Sequence, residues 1–211
     1  MEEKYLQDIS EIKTMMNKSS QFISLSGLAG ILAGFYALIG AYFARQILLD
    51  FTNVYPHSYS VPSETTTHYQ ITVQLLIIAS SVLILSLLTA SILTYFKAKK
   101  QNEQVWNATS KRMLINFLIP LVSGGIFGML LFKNQFYGLI APVTLIFYGL
   151  SCLNASKYTL RDVRYLGITI IIIGLFATNY IGYGLEFWAL GFGICHVLYG
   201  SIMYIKYDLK K

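Results

Sequence analysis

Six stretches of this chain, 21–44, 71–96, 113–132, 136–155, 165–183 and 186–206, are almost wholly apolar, and nothing else constrains its fold as strongly. A helix crossing hydrocarbon needs about 20 mainly apolar residues, because roughly 30 Å at about 1.5 Å per residue sets that length. The interiors of the six runs carry no Asp, Glu, Lys or Arg; Glu186 sits at a boundary. Charged residues make up only 12% of the chain, against about 25% in soluble domains. This excludes a disordered chain, a nucleic-acid-binding module and an ordinary soluble globule. The expected fold is an all-α polytopic membrane helical bundle with six transmembrane helices. The turns at Lys133-Asn134-Gln135 and around Gly182 and Gly184 are tight, which makes five the competing count.

Lys and Arg positions orient such a bundle. Fourteen of the 16 lie in four segments: the N-terminal tail, 97–112, 156–164 and the C-terminus from Lys206. Only Arg45 and Lys133 fall on the other side. Both termini are therefore expected in the cytoplasm, with the helices forming three cytoplasm-anchored hairpins. The same asymmetry accounts for the net charge of +6 without a nucleic-acid partner. The first apolar run follows a tail with four acidic side chains and is longer than a signal-peptide core, so it reads as an uncleaved anchor. Cys152 and Cys195 lie within apolar runs, which makes a disulfide improbable.

The longest piece between the runs, 45–70, has 26 residues, too few to fold alone. Its His57, Glu64 and His68 include one i,i+4 pair, but the segment reads as a solvated loop rather than a metal site, which needs three or four convergent ligands. No metal or cofactor is expected. In residues 1–20, Tyr5, Leu6, Ile9, Ile12, Met15 and Met16 fall on one face at helical spacing. Two occupants fit that amphipathic helix: the membrane surface, or a soluble cytoplasmic partner. Residues 207–211 read as a short basic cytoplasmic tail.

Small residues recur in the first run at Ser26, Gly30, Gly34, Ala37 and Ala41, and Gly124 and Gly128 form a second GxxxG. Such stripes let helix backbones approach closely. They serve packing within one bundle or, for the first helix, a homodimer. Pro120 and Pro142 fall within the third and fourth runs, where kinks are expected. A weak repeat relates helices three and four to helices five and six: Arg112 precedes Tyr148-Gly149 by 36 residues, and Arg164 precedes Tyr199-Gly200 by 35.

His196 is the eleventh residue of the sixth run, so its imidazole is placed near mid-membrane, where an unsatisfied ring costs several kcal/mol. Tyr199 shares its helix face, and the repeat makes Tyr148 the counterpart of Tyr199. These three are the candidates for a ligand cavity. Gly149-Leu150-Ser151 and His196 match in type the serine and histidine of rhomboid intramembrane proteases. They do not match in depth, since Ser151 falls near the cytoplasmic end of its helix. No catalytic residue is assigned. The stretches SSQFISLSGLAGILAG and GFGICHVLYGSIMYIKYD resemble segments of uncharacterised six-helix inner-membrane proteins of Bacteroidetes-type bacteria. That resemblance implies location and helix count and brings no activity. The functional expectation is a non-enzymatic sensing or scaffolding protein of the bacterial inner membrane. A small-solute transporter or channel subunit with a mid-membrane polar cavity is the alternative, and an intramembrane enzyme stands behind both.

Overall fold

The computed structural model describes residues 22, 24–54, 65–101 and 104–209. Segment 1–20, His57, Glu64, Lys210 and Lys211 lie outside them, and for His68 only the helical backbone is described. The fold is all-helical, with 88% helix and no strand among the described residues. Six helices are long and apolar enough to cross a membrane. They are α1 (Gly27–Val54), α2 (Thr65–Lys100), α3 (Ala108–Lys133), α4 (Ile140–Ala155, preceded by a 3-10 turn at Tyr137–Leu139), α5 (Asp162–Asn179) and α6 (Gly184–Asp208). The count of five is thereby set aside.

Several helix boundaries depart from the hydropathy runs, the largest at the expected 45–70 loop: α1 continues ten residues past the first run to Val54 and α2 begins at Thr65, so 45–54 and 65–70 are helical rather than solvated loop. Phe22 and Ser24–Ser26 belong to the first apolar run, yet they lie outside α1. The Phe22 N–H donates to the Tyr158 carbonyl at 2.8 Å, and the Thr159 hydroxyl donates to the Phe22 carbonyl at 2.7 Å. Hydropathy does not distinguish a helix from a segment bonded to another loop. At the other end, α6 continues to Asp208, so the first two residues of the expected tail belong to the bundle.

Helix α1 lies between α2 and α6, while α4 lies between α3 and α5 and also meets the first turn of α6. Leu145, Leu166, Ile170, Ala177 and Cys195, from α4, α5 and α6, pack together as one buried apolar cluster. In contrast, the most apolar stretch of α2, with a mean hydropathy of 2.5, is 0% buried. That stretch meets α1 on one side, where Val82 and Ile78 lie against Gly40, and is long and apolar enough to cross a membrane.

Glycines set the tightest contacts. A Cβ at Gly34 would come within 2.7 Å of the Gly193 carbonyl oxygen and 2.8 Å of the Val197 nitrogen, and one at Gly30 within 3.2 Å of the Gly200 Cα. The stripe of the first run therefore faces α6 of the same chain, and a homodimer would have to use another surface. Ser26 immediately precedes α1 and is not on the helix. In the second GxxxG, Gly124 is in contact with Phe147 of α4, whereas nothing lies within 4 Å of a Cβ at Gly128. The two Tyr-Gly pairs of the repeat have matching roles. Gly149 lies against Gly167, seating α4 on α5; Gly200 lies against Gly27 and Ile31, seating α6 on α1. Each glycine seats the second helix of one hairpin on the first helix of another.

The prolines behave differently from one another. Pro142 is the third residue of α4, in the first turn, where a missing N–H breaks no helical bond, so the expected kink has no cause there. Pro120 is inside α3 and leaves the Asn116 carbonyl without its i+4 donor. The Asn154 side chain of α4 donates to that oxygen at 3.0 Å. A side chain from a neighbouring helix thus supplies the bond that proline removes. Helix α3 opens on an Asn107–Ser110 capping box, in which side chain and backbone of the two residues bond reciprocally.

Candidate functional site

The sixth helix is not uniformly α. Residues Ala189–Ile194 form a wider π turn, in which the Cys195 N–H bonds the Leu190 carbonyl. The Gly191 carbonyl loses the Cys195 N–H that α geometry would supply, and it accepts from His196 Nδ1 at 3.0 Å. On its other side, the His196 ring meets the Tyr148 hydroxyl, with Nε2 and the phenol oxygen 2.7 Å apart. A carbonyl can only accept, so in the neutral ring the proton sits on Nδ1 and Nε2 accepts from Tyr148.

Aromatic rings close the surroundings. Trp188, Phe192 and His196 recur every four residues on one face of α6, with Trp188–Phe192 centroids at 4.9 Å and Phe192–His196 at 6.0 Å. Tyr148 lies 4.9 Å from Phe192 and 5.3 Å from His196, and Phe117 of α3 meets its edge at 5.9 Å. His196 is 7% exposed. Both ring nitrogens are engaged, so coordination of a metal or ligand would first have to break one of these bonds.

The structure brings together two of the three candidate residues and directs the third elsewhere. The Tyr199 hydroxyl bonds Thr169 of α5 at 3.1 Å. Gly193 and Gly200, which flank His196 in sequence, leave room for α1 rather than for a cavity beside the imidazole. Ser151 is fully buried and its hydroxyl donates to the Phe147 carbonyl at 2.8 Å within its own helix. Both cysteines are buried thiols. Among the described residues, no three His, Cys, Asp or Glu side chains form a group that could hold a metal ion.

A test separates structure from binding at this pair. Tyr148→Phe leaves Nε2 buried without its donor, which costs about 1–3 kcal/mol. Tyr199→Phe should cost less, because the Thr169 hydroxyl can turn to a carbonyl of its own helix. Thermal melting in mild detergent should rank the two in that order. Equal losses would mean that the Tyr148–His196 bond is not a special support of the bundle.

Sequence reasoning missed the cluster at the basic end of the bundle, where the Lys- and Arg-rich segments meet. Lys97 at the end of α2 lies 2.5 Å from Asp208 at the end of α6, and both side chains are only 12% exposed. Lys97 also donates to the Leu25 carbonyl at 2.6 Å, and Asp208 accepts from the Gly27 N–H at 3.0 Å, capping α1. Ser24 is fully buried and donates to Gln101 at 3.2 Å. Phe22, Ser24, Leu25 and Gly27 thus bond the end of α2, the α4–α5 link and the end of α6. No local signal announces partners separated by 72 to 181 positions.

No family model matches this chain, and neither a curated protein nor a solved structure matches it.

Proposed function

We propose that this is a non-enzymatic multi-pass protein of the bacterial inner membrane, with both termini in the cytoplasm, that scaffolds or senses through a soluble partner docked on residues 1–20. The observation that carries the reading is the bonding of Phe22, Ser24, Leu25 and Gly27. Phe22 bonds the α4–α5 link, Ser24 and Leu25 bond the end of α2, and Gly27 bonds the end of α6. A partner that pulls or turns the segment before Phe22 would act directly on the ends of α2 and α6. The distribution of Lys and Arg supports placing that end in the cytoplasm. The pairing of His196 with Tyr148 and Gly191 weighs against the solute-transport alternative, since the one mid-membrane imidazole is already engaged on both sides.

A photo-crosslinking residue introduced at Ile9, on the apolar face of the N-terminal segment, tests the reading in the full chain in cells. The expected result is one soluble protein in stoichiometric adduct at Ile9, and none when the probe replaces Lys13 on the polar face. Adducts only with lipid at Ile9 would overturn the docking role in favour of a helix lying on the bilayer.

A further inference from the structure

One side of α2 is fixed against α1 by the contact at Gly40 and by the Tyr36 and Thr89 hydroxyls, which bond each other at 3.3 Å. The opposite side carries Ile77, Ser80, Ile84, Leu87, Ser91 and Thr94, in alternating steps of three and four residues. Such a row stays on one face of a helix, and from Ile77 to Thr94 it spans about 26 Å, nearly the thickness of hydrocarbon. Ile77, Ile84 and Leu87 are more than half exposed, and Ser80 and Ser91 are exposed among them. The next helix in the chain does not turn toward this face: α3 is seated on α4, with Gly124 against Phe147.

The row differs from a plain apolar surface in its hydroxyls. Ser123, Ser151 and Ser201, in α3, α4 and α6, each donate to a carbonyl four residues back in their own helix. Ser81, at the border of the row, donates to the Ile78 carbonyl at 2.8 Å. Ser80 and Ser91 form no hydrogen bond among the described residues. Two outward hydroxyls on one face are thus without a partner, in a stretch whose mean hydropathy is 2.5. An unpaired hydroxyl is costly in hydrocarbon. Between spanning helices, where no hydrophobic force acts, serine hydroxyls bonding across the contact are a means of association.

We propose that this face is the contact between two copies of the chain, α2 against α2 about a two-fold axis along the membrane normal. Two copies inserted in the same orientation have parallel α2 helices, so equal residues meet across the axis. Ser80 then meets Ser80 of the partner subunit, and Ser91 meets Ser91 of the partner subunit. A hydroxyl both donates and accepts, so each such pair satisfies itself. A foreign helix would need hydroxyls of its own at both depths, whereas a second copy has them by identity. Steps of three and four are also the spacing at which parallel helices interlock. The inference rests on the six helices spanning a membrane and is independent of docking on residues 1–20.

Disulfide cross-linking of the full chain in native membranes tests the contact. Single Ser80→Cys, Ser91→Cys, Leu85→Cys and Ile92→Cys variants are oxidised with copper phenanthroline and compared without reductant. Leu85 and Ile92 are also exposed, but they lie about a third of a turn round the helix from the row. Roughly tenfold more linked dimer is expected at positions 80 and 91 than at 85 and 92, because a disulfide needs its Cβ atoms about 4 Å apart. The parent should give none, since Cys152 and Cys195 are buried. Adding Ser80→Leu to the Ser91→Cys variant should cut its dimer severalfold, and adding Leu85→Ala should not. All these side chains face outward, so each variant should stay in the membrane pellet after a carbonate wash. Equal cross-linking at the four positions, adducts only with other proteins, or a dimer unchanged by Ser80→Leu would overturn the proposal. Release of the parent chain by carbonate would instead remove the spanning reading beneath it.

Discussion

Gly167→Leu is expected to cost the bundle about 3 kcal/mol or more, the upper range for overpacking. The reason is that the obstruction is backbone. A Cβ on Gly167 would sit 2.7 Å from the Gly149 carbonyl oxygen and 2.9 Å from the Leu153 nitrogen, and a Cβ on Gly149 would meet the Gly167 carbonyl at the same 2.7 Å. No flexible side chain is available to move aside, so α4 and α5 would have to separate. Gly200→Leu should do the same to the α6–α1 contact, where the nearest atoms are the Ile31 nitrogen and the Gly27 carbonyl. The internal control is Gly125→Leu on α3, where nothing lies within 4 Å. It should melt with the parent in detergent or slightly above it, since leucine is the better helix former. If Gly167→Leu and Gly125→Leu melt alike, α4 and α5 are not in close contact.

The second large effect is expected at the Lys97–Asp208 pair. Removing one member of a buried pair leaves the other charge uncompensated, at a cost of about 3–5 kcal/mol. Asp208→Ala removes the partner of Lys97 and the cap on the Gly27 N–H together. Asp208→Asn keeps an acceptor for Gly27 and loses only the charge, so it should fall between Asp208→Ala and the parent. Lys97→Met combined with Asp208→Leu should cost much less than the two single losses added, because no lone charge is left in the cluster. Additive losses in that double variant would show that the pair does not act as a unit. Residues 22–27 should also become sensitive to protease in Asp208→Ala, since this is the end at which α1 is capped.

Much of the architecture follows from single segments. Each of the six apolar runs overlaps one helix, because hydrocarbon thickness sets a length that a single segment either reaches or does not. Gly34 could be read as a contact because the spacing Gly30–Gly34 repeats on one helix face. The partner of that face could not be read, since a small-residue stripe has the same pattern whether it meets α6 or a second copy. His196 was expected to have a hydrogen-bond partner on energetic grounds, and it has two. That the phenol is Tyr148 and not Tyr199 depends on which helices pack on either side of α6: α4 brings Tyr148 to His196, while α5 brings Thr169 to Tyr199. A helical wheel shows one helix at a time and cannot contain its neighbours.

What the sequence determined by itself is local in origin: an all-α chain, six helices long and apolar enough to cross a membrane, and a concentration of cationic residues at one end. Each of these depends on how one segment is solvated. What the tertiary structure decided is which groups meet. Asn154 supplies the bond that Pro120 removes from Asn116, Asp208 caps a helix that starts 181 residues earlier, and Arg45 stands beside Glu186. The physical reason is that a polar group in an apolar bundle must be satisfied, and many partners would serve. Side-chain chemistry states the need, while only the packing of the backbones selects the neighbour that meets it.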